Sequence, residues 1–346
     1  MPSRDVLEVR PAGLYCPAAG WYIDPWRPVE RALITHGHAD HARPGSSHYI
    51  AARPGRTILA HRLANARIDY VDYGETFDLG TARISLHPAG HVLGSAQIRI
   101  EVEGRVWVVA GDYKRQHDPT CAGFEVVPCD VFITEATFAL PVYRWRPAAD
   151  VAADIVAWHR DNAAAGRASV LFCYALGKAQ RLLAELAPWL ERAGFDQPVY
   201  LHGALRPLVE AYREAGVTLP ETAPVNDRGR GDWRGTLTFA PPSAAGSRWM
   251  RRFGDCRTAA ASGWMRVRGD RRRRGYDRGF VLSDHVDWPD LLRTLDETGC
   301  HRVLATHGRT DVLVRYLREV RGLDAANLDT LWGQDDGAAS SAETTP

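Results

Sequence analysis

The stretch THGHADH, residues 35–41, concentrates metal-binding side chains at the end of an apolar run. It holds three of the chain's 13 histidines together with one aspartate: His36, His38, Asp40 and His41. The apolar run ALIT (32–35) predicts a buried strand, whose alternation would place His36 and His38 on one side, with Asp40 and His41 just beyond, where the chain turns. Imidazole and carboxylate ligands suit zinc or manganese. We therefore predict a metal site here rather than a solvated, histidine-rich loop.

Five further apolar runs end in a residue that could bind a metal ion or transfer a proton. They are ISLHPAGH ending in His91, RVWVVAGD ending in Asp112, VFITE ending in Glu135, VLSDH ending in His285 and VLATH ending in His307. Layered α/β proteins often build their sites from loops at strand ends. One such residue could simply belong to a loop, but five together indicate a site assembled from several strands.

The pattern of predicted strands and helices changes twice along the sequence, which predicts three structured segments and a tail. Residues 1–147 read as short strands separated by turns. Residues 148–278 alternate helix-like and strand-like stretches, as in a small α/β insert with a parallel sheet. Residues 279–332 return to the first pattern and form its second part. Residues 333–346 are poor in apolar side chains, and we expect them to be disordered.

The overall composition is that of a globular protein, with 45% hydrophobic and 25% charged residues. A formal net charge of +1 neither indicates nor excludes nucleic acid as a partner. No run approaches the roughly 18 apolar residues of a membrane-spanning helix, and the N-terminus has no apolar signal core, so we expect a cytoplasmic protein without a membrane partner. The six cysteines form no CxxC pair, which argues against a zinc–cysteine site.

Although the net charge of the whole chain is close to zero, residues 248–278 form a basic segment that contains eleven arginines and three aspartates. Aromatic residues are interleaved, a mixture that suits phosphate contacts and base stacking on a single strand. We expect nucleic-acid contacts from this segment, from the cations after Asp112 and from a strand-to-helix turn at GK (177–178): Lys114, Arg115, Lys178, Arg248, Arg251, Arg252, Trp264, Arg266 and Arg268. The alternatives are a solvated loop, ordinary surface charges and an ordinary strand–helix link.

The order of the motifs resembles that of the metallo-β-lactamase fold, in which His36-x-His38-x-Asp40-His41 is followed by His91 and Asp112. Three further segments resemble the motifs that are added in the β-CASP nuclease branch of this fold. They are TEAT with Glu135, SDHVD with His285 and THG with His307. GKAQRLL (177–183) is similar to a helix start of the β-CASP insert. The resemblance extends over about residues 10–325 and is greatest to bacterial ligase-associated DNA exonucleases. It implies an α/β fold, a metallo-β-lactamase αββα sandwich with an inserted α/β β-CASP domain.

The resemblance also implies a role for each residue of a centre with two divalent ions, zinc or manganese. His36, His38 and His91 would bind one ion, Asp40, His41 and His307 would bind the other, and Asp112 would bridge the two. His285 would act as a general acid near the scissile phosphate, and Glu135 would orient it through a hydrogen bond. The residues expected to take part in catalysis are His285, Glu135, Asp40 and Asp112.

By the same resemblance we expect a DNA exonuclease in DNA repair, acting 5′ to 3′ on single-stranded or end-containing DNA. An ATP-dependent DNA ligase and a helicase would be its partners. Three alternatives stay open. A ribonuclease could use the same centre, since nothing visible in the sequence reads a 2′-hydroxyl. A small-molecule hydrolase of lactamase or thioesterase type would not need His285 or the basic segment, and a non-catalytic repair scaffold would not need an intact ligand set.

Overall fold

The computed structural model describes residues 5–228, 231–267 and 275–332. Arg268 and the predicted tail at 333–346 lie outside these residues. The chain divides into two compact units. The first comprises the described residues of Met1–Arg144 and His285–Asp336, and the second those of Trp145–Asp284. The chain therefore returns to the first unit at His285, whereas the sequence placed that return at residue 279.

The described residues contain nineteen strands and seven α-helices, numbered here in chain order. The strands are β1 (Glu8–Arg10), β2 (Gly13–Cys16), β3 (Trp21–Ile23), β4 (Arg31–Ile34), β5 (His48–Ala52), β6 (Ile68–Val71), β7 (Thr76–Leu79), β8 (Ala82–Pro88), β9 (Ala96–Val102), β10 (Arg105–Val109), β11 (Val131–Glu135), β12 (Ala168–Phe172), β13 (Val199–Leu201), β14 (Thr222–Pro224), β15 (Leu237–Ala240), β16 (Cys256–Ala261), β17 (Arg278–Phe280), β18 (Arg302–Thr306) and β19 (Asp324–Asn327). The helices are α1 (Arg56–Arg62), α2 (Ala148–Ala164), α3 (Lys178–Arg192), α4 (Arg206–Glu214), α5 (Val225–Arg228), α6 (Trp288–Thr298) and α7 (Thr310–Glu319).

The first unit contains two sheets. One has the order β1-β2-β3-β4-β5-β6 and is parallel from β3 onward. The other has the order β19-β18-β11-β10-β9-β8-β7. Its β7–β10 part is antiparallel, whereas β10, β11, β18 and β19 run parallel. Chain segments from both ends of the sequence therefore pair within one sheet, because β18 and β19 follow the insert.

The core of the first unit lies between its two sheets, where Leu33 of one sheet packs with Ile98 and Ile133 of the other. On the outer face of the first sheet, α1 contributes Leu59 to a second apolar cluster. Helices α6 and α7 cover the outer face of the second sheet through side chains that include Leu313. This layering is the αββα sandwich predicted from the sequence, and it is confirmed. Among the described residues, every helix is too short or too polar to cross a bilayer.

The second unit is built on one parallel sheet with the order β14-β13-β15-β12-β16-β17. The predicted α/β insert with a parallel sheet is therefore confirmed. All five residues of β12 are buried, as expected for a central strand of such a sheet. The apolar run SVLFCYALG (169–177) predicts a strand as far as Gly177, but β12 ends at Phe172 and a loop then leads to α3. Because β17 pairs with β16, this unit continues beyond residue 278.

Candidate metal centre

The candidate metal ligands of the first unit come together at the carboxyl ends of strands from both sheets. The segment after β4 holds His36–His41, β8 leads to His91, β10 to Asp112 and β18 to His307, while Glu135 ends β11. The strand alternation expected for His36 and His38 is wrong, because β4 ends at Ile34. A turn follows, in which the backbone N–H of Ala42 donates to the His38 carbonyl at 2.8 Å. His38, Asp40 and His41 lie on this turn, and His36 lies between it and β4.

Three histidines and Asp112 form the first ligand group. His38 Nδ1 lies 3.0 Å from His36 Nε2 and 3.1 Å from His91 Nε2. Asp112 Oδ2 lies 3.5 Å from His36 Nε2 and 3.7 Å from His91 Nε2. Four ligands at zinc-like bond lengths in a tetrahedron would stand about 3.3 Å apart. The observed spacings bracket this value, so the four atoms can share one ion.

Asp40, His41 and His307 form the second ligand group. His41 Nε2 lies 3.5 Å from Asp40 Oδ2 and 3.8 Å from Asp112 Oδ2. Asp112 is therefore close to nitrogens of both groups through the same carboxylate oxygen. The imidazole rings of His41 and His307 stack with centroids 5.3 Å apart and planes within 9°. The structure thus brings together all seven residues predicted to bind the two ions.

Several buried atoms of these groups fit a bound cation, because no protein atom satisfies them. In the part of the chain that the structure describes, Asp112 Oδ1, His41 Nε2 and both ring nitrogens of His307 have no hydrogen-bond partner. Buried polar atoms are almost always paired, and each unpaired one costs about 1–3 kcal/mol. Imidazole and carboxylate donors match zinc or manganese. The side chains present therefore fit two divalent ions.

Burial and neighbouring charges shift the pKa values of the candidate ligands in both directions. Burial and the charge of His41 lower the pKa of His307 to about 3, and burial also holds the pKa of His36 well below its usual value. Burial raises the pKa of Asp112 to about 7. Burial disfavours charge on His41, but Asp40 and two other carboxylates outweigh it and raise the pKa to about 10. The lowered pKa values keep His36 and His307 neutral, as metal ligands must be, while the carboxylates that hold a proton on His41 would equally attract a cation in its place.

Asp24, at the end of β3, is a functional candidate that the sequence interpretation missed. Its side chain is fully buried, and Oδ2 accepts a hydrogen bond from His41 Nδ1 at 2.7 Å. The Thr35 backbone N–H and hydroxyl also donate to its two oxygens, at 2.8 and 2.5 Å. A carboxylate on one ring nitrogen leaves the other to bind a metal and raises its basicity. The run GWYID ends in an acid after a strand, which is the signal that could have found it.

Two glycines are required by close backbone approaches beside the ligands. Gly111 has a φ of +58°, and a Cβ there would lie 2.8 Å from the Thr35 Cβ. Gly308 has a φ of +65°, and a Cβ there would lie 2.4 Å from the Ala136 carbonyl oxygen. Each glycine is directly bonded to a ligand, Asp112 or His307. A side chain at either position would therefore displace a ligand.

His285 and Glu135 form a hydrogen-bonded pair next to the first group. His285 Nδ1 lies 2.9 Å from Glu135 Oε2, and Glu135 Oε1 accepts from the Tyr113 backbone N–H at 2.9 Å. Glu135 is 1% exposed, while the His285 side chain is 24% exposed. The His285 ring lies 4.7 Å from that of His91. The predicted contact is present, and the general-acid role of His285 stays a prediction.

The structure does not support a nucleic-acid contact for two of the predicted cations. The Lys114 side chain is fully buried, and its Nζ lies 2.6 Å from Asp118 Oδ2. The Lys178 side chain is 3% exposed, and its Nζ lies 2.8 Å from Asp284 Oδ2. We correct both assignments, because a buried ammonium held by a carboxylate is not presented to a phosphate. Arg115 is mostly buried and pairs with Glu297.

Most of the predicted arginines of the second unit do reach the surface. Arg248, Arg251 and Arg266 are exposed. Arg252 is half-buried, with its guanidinium 5.2 Å from the Trp249 ring centroid. Trp264 is partly buried against the apolar core of this unit, so it serves packing as well as any contact with a base. The buried lysines differ from these exposed arginines in the buried carboxylate that each one contacts, Asp118 for Lys114 and Asp284 for Lys178.

Comparisons with curated proteins give matches over most or half of the chain. It is 34% identical over 316 residues to a protein named probable DNA ligase from Opitutus terrae, covering 90% of this chain and 30% of that protein. It is 29% identical over 214 residues to endoribonuclease ysh-1 of Neurospora crassa, covering 50% and 25%. It is 30% identical over 201 residues to cleavage and polyadenylation specificity factor 73 of Drosophila melanogaster, covering 55% and 29%. The chain spans less than a third of the length of each of these relatives.

A comparison with solved structures supports the fold alone. A crystal structure of a protein of unknown function from Enterococcus faecalis V583 matches with a TM-score of 0.56 at 12% identity. The match covers 88% of this chain and 80% of that one. A scan against protein-family models gives no match.

Proposed function

Because the chain belongs to the β-CASP family of the metallo-β-lactamase fold, we propose that it is a metal-dependent nuclease that hydrolyses phosphodiester bonds. The position of Asp112 carries the proposal. Its Oδ2 lies 3.5–3.8 Å from nitrogens of His36, His91 and His41, so it can join two ligand groups. Two divalent ions held there supply an activated water and stabilise the charge that develops on a phosphate.

The residues divide the work of hydrolysis between binding and proton transfer. His36, His38 and His91 would hold one ion, Asp40, His41 and His307 would hold the other, and Asp112 would serve both. Glu135 fixes the ring of His285 through Nδ1, so Nε2 is the nitrogen that delivers a proton to the leaving sugar oxygen. Glu135 also stabilises the positive charge on that ring, because its carboxylate is buried beside it.

We propose DNA as the substrate, with removal of nucleotides from a 5′ end of a single strand during repair. Similarity over 90% of the chain to a protein named as a DNA ligase supports DNA and a ligase partner. The 5′-to-3′ direction, the exonuclease mode and a helicase partner rest on the motif resemblance. The exposed arginines Arg248, Arg251 and Arg266 would contact the phosphate backbone.

RNA is the second candidate substrate. The matches to proteins named as endoribonucleases favour it, although they cover about half of the chain. The ligand groups are equally suited to both nucleic acids, because the ions act on the phosphate that DNA and RNA share.

The test uses purified protein with 5′-labelled single-stranded DNA and RNA of matched sequence, in Zn²⁺ or Mn²⁺. Mononucleotide release from DNA is expected, with loss of activity in Asp112→Ala and wild-type activity in Asp154→Ala, an exposed carboxylate of α2. Cleavage of RNA alone would move the protein to RNA processing. Cleavage of neither by protein that binds two ions would overturn the nuclease proposal, and small esters and thioesters would be tested next.

A further inference from the structure

Trp332 packs against two ligands of the second ion. Its ring centroid lies 5.8 Å from that of His41 and 5.7 Å from that of His307, with interplanar angles of 20° and 13°. The indole is 4% exposed and belongs to the core between the two sheets of the first unit. Three nearly parallel rings therefore stand together, and two of them carry candidate metal ligands.

The segment that carries Trp332 runs beside β18 up to the metal centre. β19 pairs in parallel with β18, and the Leu328 backbone N–H then donates to the Ala305 carbonyl at 2.8 Å. The hydroxyls of Thr330 and Thr306 form a hydrogen bond directly before His307. The segment is thus held in register along the strand that ends at a ligand, and this register places the indole.

A hydrogen bond also joins Trp332 to the opposite sheet. Its Nε1 donates to the Asp24 carbonyl oxygen at 2.6 Å, and the Asp24 side chain holds His41. Asp24 and His307 have φ values of +40° and +59° and are two of the four non-glycine residues with positive φ in the described part of the chain. Such conformations persist only where surrounding contacts impose them, and they cluster at functional sites.

The ring of His307 particularly needs this packing. Neither of its nitrogens has a hydrogen-bond partner among the described residues, whereas His41 is oriented by Asp24. Before an ion binds, contacts with neighbouring rings must therefore set the orientation of His307. An ion is bound more tightly when its ligands already point towards it, because no side-chain freedom is then lost on binding.

We propose that Trp332 is a positioning residue of the second metal site, holding the rings of His41 and His307 ready for the ion and excluding water from behind them. This inference rests on the metal centre of the proposed function and not on the identity of the substrate. It concerns the binding of one ion of the two.

The test measures ion binding to the full chain by chelator competition and elemental analysis, with Zn²⁺ as the probe. Trp332→Leu should bind the second Zn²⁺ about 10–100-fold more weakly, as when a supporting residue of a metal site is lost. It should bind the first ion as the wild type does, which also shows that it folds. Trp107→Leu, which removes a buried indole of the same core, should bind both ions normally. Wild-type affinity for both ions in Trp332→Leu would overturn the inference.

Trp332→Phe provides a second measurement that does not depend on the leucine variant folding. Phenylalanine keeps an aromatic face against the histidines, so the second ion should still bind. We expect binding of the second Zn²⁺ to change the tryptophan fluorescence of the wild type, because the indole packs against His41 and His307, and we expect this change to be absent in Trp332→Phe. An unchanged fluorescence response in this variant would show that the indole does not report on the site, and would count against the inference.

The outcomes for substrate and for ion binding can be told apart. Wild-type protein that binds two ions but cleaves no nucleic acid would overturn the nuclease proposal and leave the role of Trp332 standing. Wild-type protein that binds fewer than two ions would overturn both.

Discussion

Asp24 Oδ2 lies 2.7 Å from His41 Nδ1, and both side chains are fully buried. The same oxygen accepts the Thr35 hydroxyl, while Oδ1 accepts the Thr35 backbone N–H. One carboxylate therefore fixes the ring of a metal ligand and the segment that begins the ligand turn. This arrangement makes Asp24 a structural support of the second metal site.

Asp24→Asn should weaken binding of the second ion by about 10–100-fold. The carboxylate accepts from three donors, the Thr35 N–H, the Thr35 hydroxyl and His41 Nδ1, whereas an amide has one accepting oxygen and would point its NH₂ group at the remaining donors. Zn²⁺ affinity measured by chelator competition checks this. Asp69→Asn is the matched control, since Asp69 Oδ2 also lies 2.7 Å from a histidine, His48, but at an exposed position. Equal Zn²⁺ affinities in the two variants would contradict the role of Asp24.

His285→Ala should slow cleavage by about 10²–10⁴-fold and leave both ions bound, because in the proposed mechanism the side chain transfers a proton and holds no ion. Single-turnover rates and elemental analysis of the same preparation check this. Loss of an ion from His285→Ala would instead show that His285 is a metal ligand. The geometry allows this, because Asp112, Glu135 and His285 also have ligand atoms within 4.8 Å of one another.

Glu135→Gln should also slow cleavage with both ions retained, by about 10-fold or more. Its single oxygen cannot accept from both Tyr113 N–H and His285 Nδ1, so one of these donors loses its partner. The combined Glu135→Gln/His285→Ala variant should be little slower than His285→Ala alone, because the carboxylate acts through that histidine. Effects that multiply in the double variant would show an independent role for Glu135.

Charge reversal at Arg248 and Arg251 should weaken binding of single-stranded DNA and reduce the dependence of this binding on salt. Each phosphate contact releases counterions from the DNA, so a variant with fewer contacts releases fewer of them on binding. Fluorescence anisotropy over a range of salt concentrations measures both quantities. Arg160→Glu, an exposed arginine of α2 in the same unit, should change neither. An unchanged salt slope in the double variant would remove these arginines from the interface.

Lys178→Met should behave differently from those variants. The substitution removes one partner of a buried ion pair with Asp284. The free energy of unfolding measured with denaturant should therefore fall by at most about 3–5 kcal/mol. This is an upper limit because Arg181 still pairs with Asp284. The folded protein should bind DNA with wild-type affinity. Weaker DNA binding at unchanged stability would restore the nucleic-acid contact first expected of Lys178.

The buried imidazole of His159 should cause the free energy of unfolding to fall as the pH is lowered into the mildly acidic range. Burial lowers its pKa to about 4 from the usual 6.5, so the unfolded chain takes up the proton first as the pH falls. Its stabilising contribution is full above about pH 6.5 and is lost between about pH 6.5 and 4, to the extent of about 3 kcal/mol. Denaturant unfolding should therefore show a shallower pH dependence in His159→Gln. His61→Gln, at an exposed position, should keep the wild-type slope.

The two candidate ligand groups could be predicted from the sequence because their members follow short apolar runs, and the ends of buried strands meet at one edge of a layered structure. The stretch WPDLLRTLDETG, with a proline at its start and a glycine at its end, likewise predicts helix α6, and in the structure Asp287 caps its start and Gly299 ends it in the left-handed conformation. Local signals of this kind need only a few neighbouring residues. They also predicted the parallel sheet of the insert.

The sequence by itself thus predicted the candidate ligand set and determined the two-layer core and the basic character of residues 248–278. Only the tertiary structure decided that Lys114 and Lys178 are buried on carboxylates, that the side chains of His36 and His38 meet, and that Asp24 and Trp332 contact histidines of the second ligand group. The physical reason is distance along the chain. Trp332 and Asp24 are 308 residues apart, and their hydrogen bond depends on the pairing of whole strands rather than on any local pattern.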